Sequence, residues 1–111
     1  YVFVATHFSL TSADQELSVP LVVNEVKLCG KPVFFAGDMN SEPYSKVQKE
    51  LRKYFRVLTE GDWNTCGGTC IDFIYEYMDN RKNSPVVHKA MIDDHVASDH
   101  CPVYVDVILE Q

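Results

Sequence analysis

Apolar and polar positions along the chain follow two periods, which predict strands and helices joined by short loops. Residues 1–7 carry apolar side chains on both faces, a pattern typical of a strand that is buried on both sides. Residues 32–38 form a second apolar run that ends at Asp38. The same reasoning predicts further strands at the following positions: 56–58, 71–78, 86–92 and 101–109.

The first helix is predicted between these two apolar runs. Ser12 and Gln15 have the spacing of a capping box, in which the two side chains satisfy free backbone N–H groups at a helix start. The helix should run from 12 to 29 and stop at Gly30, because glycine adopts the left-handed conformation that ends many helices. Pro20 should kink this helix or divide it in two, since proline lacks the N–H that the helix requires.

The order of the elements predicts an α/β fold. A second helix is predicted over 41–55, where apolar side chains recur at near-helical spacing. Strands 1–7 and 32–38 are joined by a helix and should therefore run parallel. If 71–78 runs the opposite way and 86–92 returns beside it after a turn at 79–85, one mixed sheet with flanking helices holds all the strands.

Polar side chains stand where several of these strands begin or end. Gly37 should let the chain turn sharply after the second strand, so that Asp38 and Asn40 face the edge of the sheet. Loops at such an edge commonly carry functional sites. The predicted sheet brings six polar residues to one edge: His7, Asp38, Asn40, Asp72, Asp99 and His100.

These residue types suit the metal-assisted hydrolysis of a phosphate ester. The three aspartates supply the hard oxygen ligands that Mg2+ or Mn2+ prefers. Asn40 has an amide hydrogen to donate to a phosphate oxygen. A histidine beside a carboxylate can protonate or polarise a phosphoryl oxygen, and the carboxylate orients the imidazole and favours its charged form.

Taken singly, the same residues also have structural interpretations. Asp38 and Asn40 are typical turn formers, and Asp72 beside aromatic residues could be a hydrogen-bonded structural group. His7 could be a core histidine, and 99–100 a polar turn before the last strand. Only their joint placement at one edge favours the catalytic interpretation.

Other polar segments carry weaker signals. The stretch after Asp38 imitates an EF-hand loop, but Pro43 and Lys49 occupy the glycine and glutamate positions, so that interpretation fails. Residues 98–100 are consecutive and do not converge as a nucleophilic triad. Residues 93–95 are interpreted as a solvated loop rather than a second acid–histidine cluster, and His88 should face solvent. Trp63 either packs locally or contacts substrate.

Composition bounds the remaining possibilities. The chain has 111 residues, 46% of them apolar, which predicts one domain at most with a packed core. A net charge of -6 and the absence of long basic runs count against strong non-specific binding to a polyanion. No apolar run approaches the roughly 18 residues of a membrane span. The chain begins in mid-strand without Met, so we expect that the natural N-terminus is missing and predict no compartment.

The four cysteines predict neither a disulfide scaffold nor a zinc finger. Cys29 and Cys101 stand in apolar contexts and should be small buried hydrophobes. Cys66 and Cys70 are separated by three residues, and no second Cys/His pair follows at the spacing of a finger. Their oxidation state stays open.

Four segments together carry a family resemblance. "ATHFS", "FFAGDMNSEP", "CIDFIYEY" and "ASDHCPVYVDV", in this order and at these separations, resemble the C-terminal half of the endonuclease/exonuclease/phosphatase superfamily, the DNase-like metallohydrolases. The resemblance covers nearly all of residues 1–111. It implies about half of a four-layer α/β sandwich, and in-line attack of water on a phosphodiester or phosphomonoester.

The resemblance also implies roles for single residues. His100 would contact the scissile phosphate and pair with Asp72, and His7 would assist the phosphate or the leaving group. Asp38 would act as acid/base or orient the attacking water. The residues implied to bind Mg2+ or Mn2+ are Asp99, Asp38 and Asn40, and Asn40 would alternatively bind phosphate.

The N-terminal half of such proteins supplies an asparagine and a metal-binding glutamate, so this chain alone is expected to be inactive. The missing half, or a second copy of the chain, is expected to cover an apolar sheet face. The expected substrates are phosphate esters: nucleic acid, inositol phosphate or a phospholipid head group. The alternative is a non-catalytic relative that binds a phosphorylated ligand or a protein partner.

Overall fold

The chain forms two helices and six strands within residues 1–78, 83–94 and 96–109, the parts that the computed structural model describes. In chain order they are β1 (Val2–His7), α1 (Ser12–Cys29), β2 (Val33–Asp38), α2 (Lys46–Leu51), β3 (Phe55–Val57), β4 (Asp72–Tyr77), β5 (Val86–Met91) and β6 (Val103–Val107). Residues 79–82, which make up most of the predicted turn at 79–85, lie outside the described residues. His95 of the 93–95 segment also lies outside them.

Four of the strands form one mixed sheet in the order β1-β2-β4-β3. β1 and β2 run parallel, as predicted from the helix that joins them, and β4 runs antiparallel to β2. The prediction that β5 pairs with β4 is wrong, because β3 takes the free edge of β4 and β5 pairs with β6 instead. The strands therefore form two sheets and not the single sheet that we expected.

One face of the four-stranded sheet packs against both helices and forms the core. Phe35 and Tyr75, register partners on β2 and β4, are fully buried with their ring centroids 5.4 Å apart. Val23 from α1 and Leu51 from α2 close over this face. Burial of each such side chain stabilises the fold by about 1.5–3 kcal/mol, so this face holds the sheet and the helices together.

A polar pair is buried in the same core. The Tyr75 hydroxyl donates to Oε1 of Gln48 at 2.6 Å, and Nε2 of Gln48 donates to Oγ of Ser41 at 3.0 Å. Burial raises the pKa of Tyr75 far above its usual range, so the hydroxyl stays protonated and remains a donor. The pair thereby ties β4 to α2 and to the loop that follows β2.

α1 differs from its prediction at its start. Thr11 is the N-cap, so the capping box predicted from Ser12 and Gln15 is wrong. The side chain of Gln15 is buried and donates to the carbonyl oxygens of Ser9 and Asn40 instead. The helix runs unbroken through the exposed Pro20, so the predicted division does not occur. The predicted stop at Gly30 is confirmed, with φ of 61°.

α2 is much shorter than the predicted helix over 41–55. Ser45 caps its start and accepts a hydrogen bond from the Gln48 backbone N–H. The segment after Leu51 leaves the helix because Phe55 pairs with Tyr77 in the sheet. The apolar period that suggested a longer helix therefore serves two different elements.

The other face of the four-stranded sheet is only partly covered. β5 and β6 are called here the β5–β6 ribbon. β6 of this ribbon lies against β4, and buried Glu76 of β4 anchors the ribbon by accepting from the Ser84 backbone N–H at 3.0 Å. A groove of about 550 Å3, lined by Phe34, Ile74 and residues of β6, separates the ribbon from the sheet. Phe3 on β1 is 78% exposed, so the predicted burial of β1 on both faces is not met within this chain.

Neither helix within the described residues is both long and apolar enough to cross a bilayer.

Candidate active site

Three of the predicted site residues form a row across the four-stranded sheet. His7 is the register partner of Asp38, and Asp38 is the register partner of Asp72. Register partners point to the same face, and neighbouring strands lie about 4.8 Å apart. The row lies on the face opposite the helices, because Phe35 and Tyr75 point to the helix side and side chains alternate along a strand.

Gly37 brings β1 and β2 together at this row. A Cβ at this position would lie 1.9 Å from the carbonyl oxygen of Thr6, so no other residue allows the same approach. Gly37 is inside β2, and our expectation that it forms a turn at the edge is wrong. It acts by permitting close contact between the strands that carry His7 and Asp38.

The backbone after β2 fixes the Asp38 carboxylate. Oδ1 of Asp38 accepts a hydrogen bond from the Asn40 backbone N–H at 2.8 Å, and Asn40 adopts a positive φ of 47°. The Asn40 side-chain Nδ2 donates to the carbonyl oxygen of Phe8 at 2.6 Å, which links the loops after β1 and β2. Oδ2 of Asp38 is thereby turned towards the histidines.

His100 enters the row from the segment before β6. Its Nδ1 lies 2.8 Å from Oδ2 of Asp72, and its Nε2 lies 3.6 Å from Oδ2 of Asp38. Nε2 of His7 lies 3.3 Å from the same Asp38 oxygen. The imidazole of His100 is about two-thirds buried, whereas that of His7 is 73% exposed. Two imidazoles and two carboxylates therefore converge at one edge of the sheet.

The surrounding charges favour the protonated form of His100. The hydrogen bond that His100 donates to Asp72 raises the pKa of His100 above its usual value, and the nearby carboxylates act in the same direction. Partial burial opposes this shift but is the smaller effect. The direction matches the expectation that an aspartate contact orients the imidazole and favours its charge.

Thr65 positions the site, although nothing in the sequence pattern singled it out. This buried residue accepts on Oγ1 from the backbone N–H groups of Ile71 and Asp72, at 3.0 and 3.3 Å. Its carbonyl oxygen accepts from the Cys101 backbone N–H at 2.7 Å. Thr65 therefore joins the start of β4 to the segment that carries His100.

The described residues contain two groups of potential metal ligands, and they share His100. Asp38, Asp72 and His100 place one ligand atom each within 4.8 Å of one another, and so do Cys66, Asp99 and His100. The first group offers the oxygen-rich ligands that suit Mg2+ or Mn2+. Asp99 is exposed and belongs to the second group, beside a cysteine that the sequence did not connect with it.

The cysteines are thiols of differing exposure. Cys101 is buried as predicted, whereas Cys29 is only partly buried. Cys66 and Cys70 are not bridged to each other. Burial, followed by the charge of Asp99, raises the pKa of the Cys66 thiol, and burial raises that of Cys70 to about 11. Both thiols therefore favour the protonated form unless a cation replaces the proton.

Two weaker candidates lie away from the row. Trp63 packs beside Gly61, with Nζ of Lys89 6.0 Å from its ring centroid, and also lines an open pocket of about 340 Å3 together with Tyr44. The ring therefore packs locally and also borders open space. His88 is exposed on β5, as predicted, and its Nε2 lies 3.1 Å from the Tyr104 hydroxyl.

Several solved structures have this fold. They include a functionally unknown conserved protein from Enterococcus faecalis, which is 22% identical, with a TM-score of 0.80 over 97% of this chain. An endonuclease/exonuclease/phosphatase from Bacteroides vulgatus is 21% identical, with a TM-score of 0.79 over 97% of this chain. A mannosyl-6-phosphatase from Bacteroides thetaiotaomicron is 18% identical, with a TM-score of 0.75 over 96%.

This chain spans only half of each of those proteins, 50%, 50% and 51% of their lengths in the same order. No family model matches the sequence, and no curated protein matches it. The predicted resemblance is confirmed at the level of the fold: the chain is a mixed α/β unit equivalent to about half of a DNase-like domain.

Proposed function

We propose that this chain is the C-terminal half of a divalent-metal-dependent phosphoesterase that hydrolyses a phosphodiester or phosphomonoester by in-line attack of water. The observation that carries this proposal is the convergence of His7, Asp38, Asp72 and His100 on one sheet face. Two carboxylates beside two imidazoles supply proton transfer and charge stabilisation in one place. The fold shared with a mannosyl-6-phosphatase supports the same class of reaction.

His100 acts on the phosphate. The contact with Asp72 fixes the orientation of its ring, and it raises the pKa of His100 and so favours the imidazolium form. A cationic ring at this position donates a hydrogen bond to a phosphate oxygen and stabilises the charge that develops in the transition state. Asp72 is then a positioning residue, since it acts through the imidazole.

Asp38 orients or deprotonates the attacking water. Its Oδ1 is occupied by the Asn40 backbone N–H, and Oδ2 faces the two histidines, so Oδ2 is the oxygen available for the proton. His7 is exposed beside it and assists the phosphate or the leaving group. The Asn40 amide has a second hydrogen to donate to phosphate, because Phe8 occupies only one.

The ligand set fits Mg2+ or Mn2+, as the oxygens of Asp38 and Asp72 lie close together at the edge of the sheet. We propose Asp38, Asn40 and Asp99 as the residues of this chain that hold the ion. A bound divalent cation neutralises phosphate charge and orients the ester. The missing half is proposed to supply a further asparagine and glutamate to the same site.

The uncovered face of the four-stranded sheet supports a missing half or a second copy as partner. Phe3 on β1 is 78% exposed and lines the 550 Å3 groove, and Tyr1, just before β1, is 52% exposed. Exposed apolar surface of this kind normally binds a partner. We expect the isolated chain to self-associate or to bind a hydrophobic dye. A monodisperse monomer that ignores the dye would refute this part of the proposal.

The proposed substrates are phosphate esters: nucleic acid, inositol phosphate, a phospholipid head group or a sugar phosphate. The last is added because of the fold shared with the mannosyl-6-phosphatase. The net charge of -6 argues modestly against duplex DNA bound through its backbone alone. The loops that select among these esters include those of the missing half.

His100→Ala in the complete protein tests the proposal, with His88→Ala as the matched control. Hydrolysis is measured with Mg2+ over supercoiled and abasic DNA, RNA, inositol phosphates, sphingomyelin and mannose 6-phosphate. We expect His100→Ala to lower turnover by about 10²–10⁴-fold, because a positioned acid or charge donor is lost. His88 is exposed on β5 and bonded to Tyr104, so its variant should match the wild type.

Equal turnover of the two variants would overturn the role of His100. Failure of the folded wild-type protein to cleave any of these esters, together with binding of a phosphorylated ligand, would instead favour a non-catalytic relative.

A further inference from the structure

A second cluster of ligating side chains lies beside the row. The Cys66 sulfur, a carboxylate oxygen of Asp99 and a ring nitrogen of His100 lie within 4.8 Å of one another. The three residues come from two segments more than thirty positions apart, so no spacing motif in the sequence reveals them. The cluster combines three ligand types, thiol, carboxyl and imidazole, and differs in this from the oxygen-rich group around Asp38.

Backbone hydrogen bonds fix the positions of these residues. Cys66 and His100 are antiparallel bridge partners, so their side chains point to the same side. The adjacent Cys101 N–H donates to the Thr65 carbonyl at 2.7 Å. Cys66 and Thr69 also exchange two backbone hydrogen bonds, each of 3.0 Å, which closes the turn that carries the cysteine. The cluster is therefore held by the fold rather than by flexible side chains alone.

The ligand types select for a thiophilic cation. Zn2+ binds cysteine sulfur at about 2.3 Å and histidine nitrogen or carboxylate oxygen at about 2.0–2.2 Å, and often leaves a fourth position to water. Tetrahedral ligands at those bond lengths stand about 3.3–3.8 Å apart, so atoms within 4.8 Å of one another need to approach by at most about 1–1.5 Å. Asp99 is exposed and gives the ion a path from solvent. Mg2+ prefers oxygen ligands and does not compete through the sulfur.

We propose that Cys66, Asp99 and His100 form a binding site for Zn2+ or another thiophilic divalent cation, and that the bound ion inhibits the phosphoesterase. A His100 nitrogen that coordinates a cation no longer carries a proton to donate to the phosphate. The inhibitory part rests on the proposed function, whereas the binding part does not.

The binding part is tested with Co2+ as a spectroscopic probe of thiolate coordination in the complete protein. Wild type should show a thiolate-to-cobalt charge-transfer absorption, and Zn2+ should abolish it by displacement. Cys66→Ser should lose the absorption and bind Zn2+ at least about tenfold more weakly, because a direct ligand is removed. Cys70→Ser is the matched control, since Cys70 is partly buried like Cys66 but lies outside the cluster. This variant should retain the cobalt absorption and the wild-type affinity for Zn2+.

Two further variants separate this site from the Asp38–Asp72–His100 group. Asp99→Asn should weaken Zn2+ binding about tenfold or more while the thiolate absorption persists at saturating Co2+. Asp38→Asn removes a ligand of the other group only and keeps the Asp72 hydrogen bond that orients His100, so it should not weaken Zn2+ binding. Loss of binding in Asp38→Asn with full binding in Cys66→Ser would overturn the proposal.

The inhibitory part is tested by adding Zn2+ to the Mg2+-dependent reaction, with each variant normalised to its own rate without zinc. Cys66→Ser should need at least about tenfold more Zn2+ for half inhibition than wild type or Cys70→Ser. Equal inhibition of all three would overturn the inhibitory part. A thiolate–cobalt absorption without any esterase activity would refute the proposed function and leave the cation site standing. Esterase activity without that absorption would refute the cation site and leave the proposed function standing.

Discussion

Replacement of Gly37 by alanine should damage stability and the candidate site together. The added Cβ would lie 1.9 Å from the Thr6 carbonyl oxygen and 2.9 Å from its carbonyl carbon. Both atoms belong to the backbone, so no side-chain rotation relieves the clash. Restoring a separation of 3.0 Å requires the two strands to move apart by 1.1 Å, the difference between 3.0 and 1.9 Å.

That displacement is large compared with the bonds beside it. The Phe8 backbone N–H donates to the Asp38 carbonyl oxygen at 2.9 Å, and a further 1.1 Å would leave no hydrogen bond. Loss of one or two such bonds costs about 0.5–1.5 kcal/mol each, and the overpacking costs about 1–3 kcal/mol more. We therefore expect Gly37→Ala to lower the free energy of unfolding by about 2–5 kcal/mol.

Gly30→Ala is the matched control. Gly30 has a φ of 61° and no atom within 4 Å of a built Cβ, so the same substitution introduces backbone strain without a clash. That strain costs about 1 kcal/mol. Urea unfolding of the complete protein, followed by circular dichroism, compares the two variants, and rates of the proposed phosphoesterase reaction report on the His7–Asp38 contact. A Gly37→Ala protein as stable and active as Gly30→Ala would refute the reasoning.

Two other predictions follow from contacts in the core and in the site. Tyr75→Phe should lower the free energy of unfolding by about 1–3 kcal/mol, because Oε1 of buried Gln48 loses its hydrogen-bond donor. Calorimetry that shows no loss of stability in this variant would contradict the prediction. Asp72→Asn should lower stability more at about pH 5.5 than at about pH 9, as judged by urea midpoints with chelator present. The pKa of His100 is raised in the folded state. The contribution of the His100–Asp72 interaction to the free energy of unfolding is therefore complete below about pH 6.5, the ordinary pKa of histidine, and is lost as the pH rises through the folded-state pKa. A pH-independent difference between wild type and variant would exclude the interaction.

Local patterns predicted the strands well because each strand has its own apolar alternation. β1, β2 and β4 appear within one residue of their predicted bounds, and the helix between β1 and β2 correctly predicted their parallel direction. The row of His7, Asp38 and Asp72 was predictable for the same reason, since strand direction alone decides which ends share an edge of the sheet.

Contacts between distant segments were not predictable in this way. Phe55 suits the apolar face of a helix and the interior of a strand equally well, and only its pairing with Tyr77 decides between them. That choice also displaces β5 from the edge of β4. Thr65 and Cys66 carry no periodic signal, and their roles depend on the segment at 99–101, which the fold brings beside them.

The division of the strands into two sheets also affects how the protein would lose the proposed activity on heating. Asp38 and Asp72 sit on strands that the helical core holds, whereas His100 precedes β6 of the β5–β6 ribbon. Segments with few buried apolar contacts open before the whole domain unfolds. Detachment of the ribbon together with loss of the Thr65–Cys101 hydrogen bond would withdraw His100 while leaving both carboxylates in place. Thermal inactivation would then be reversible and would begin below the temperature at which the helices melt.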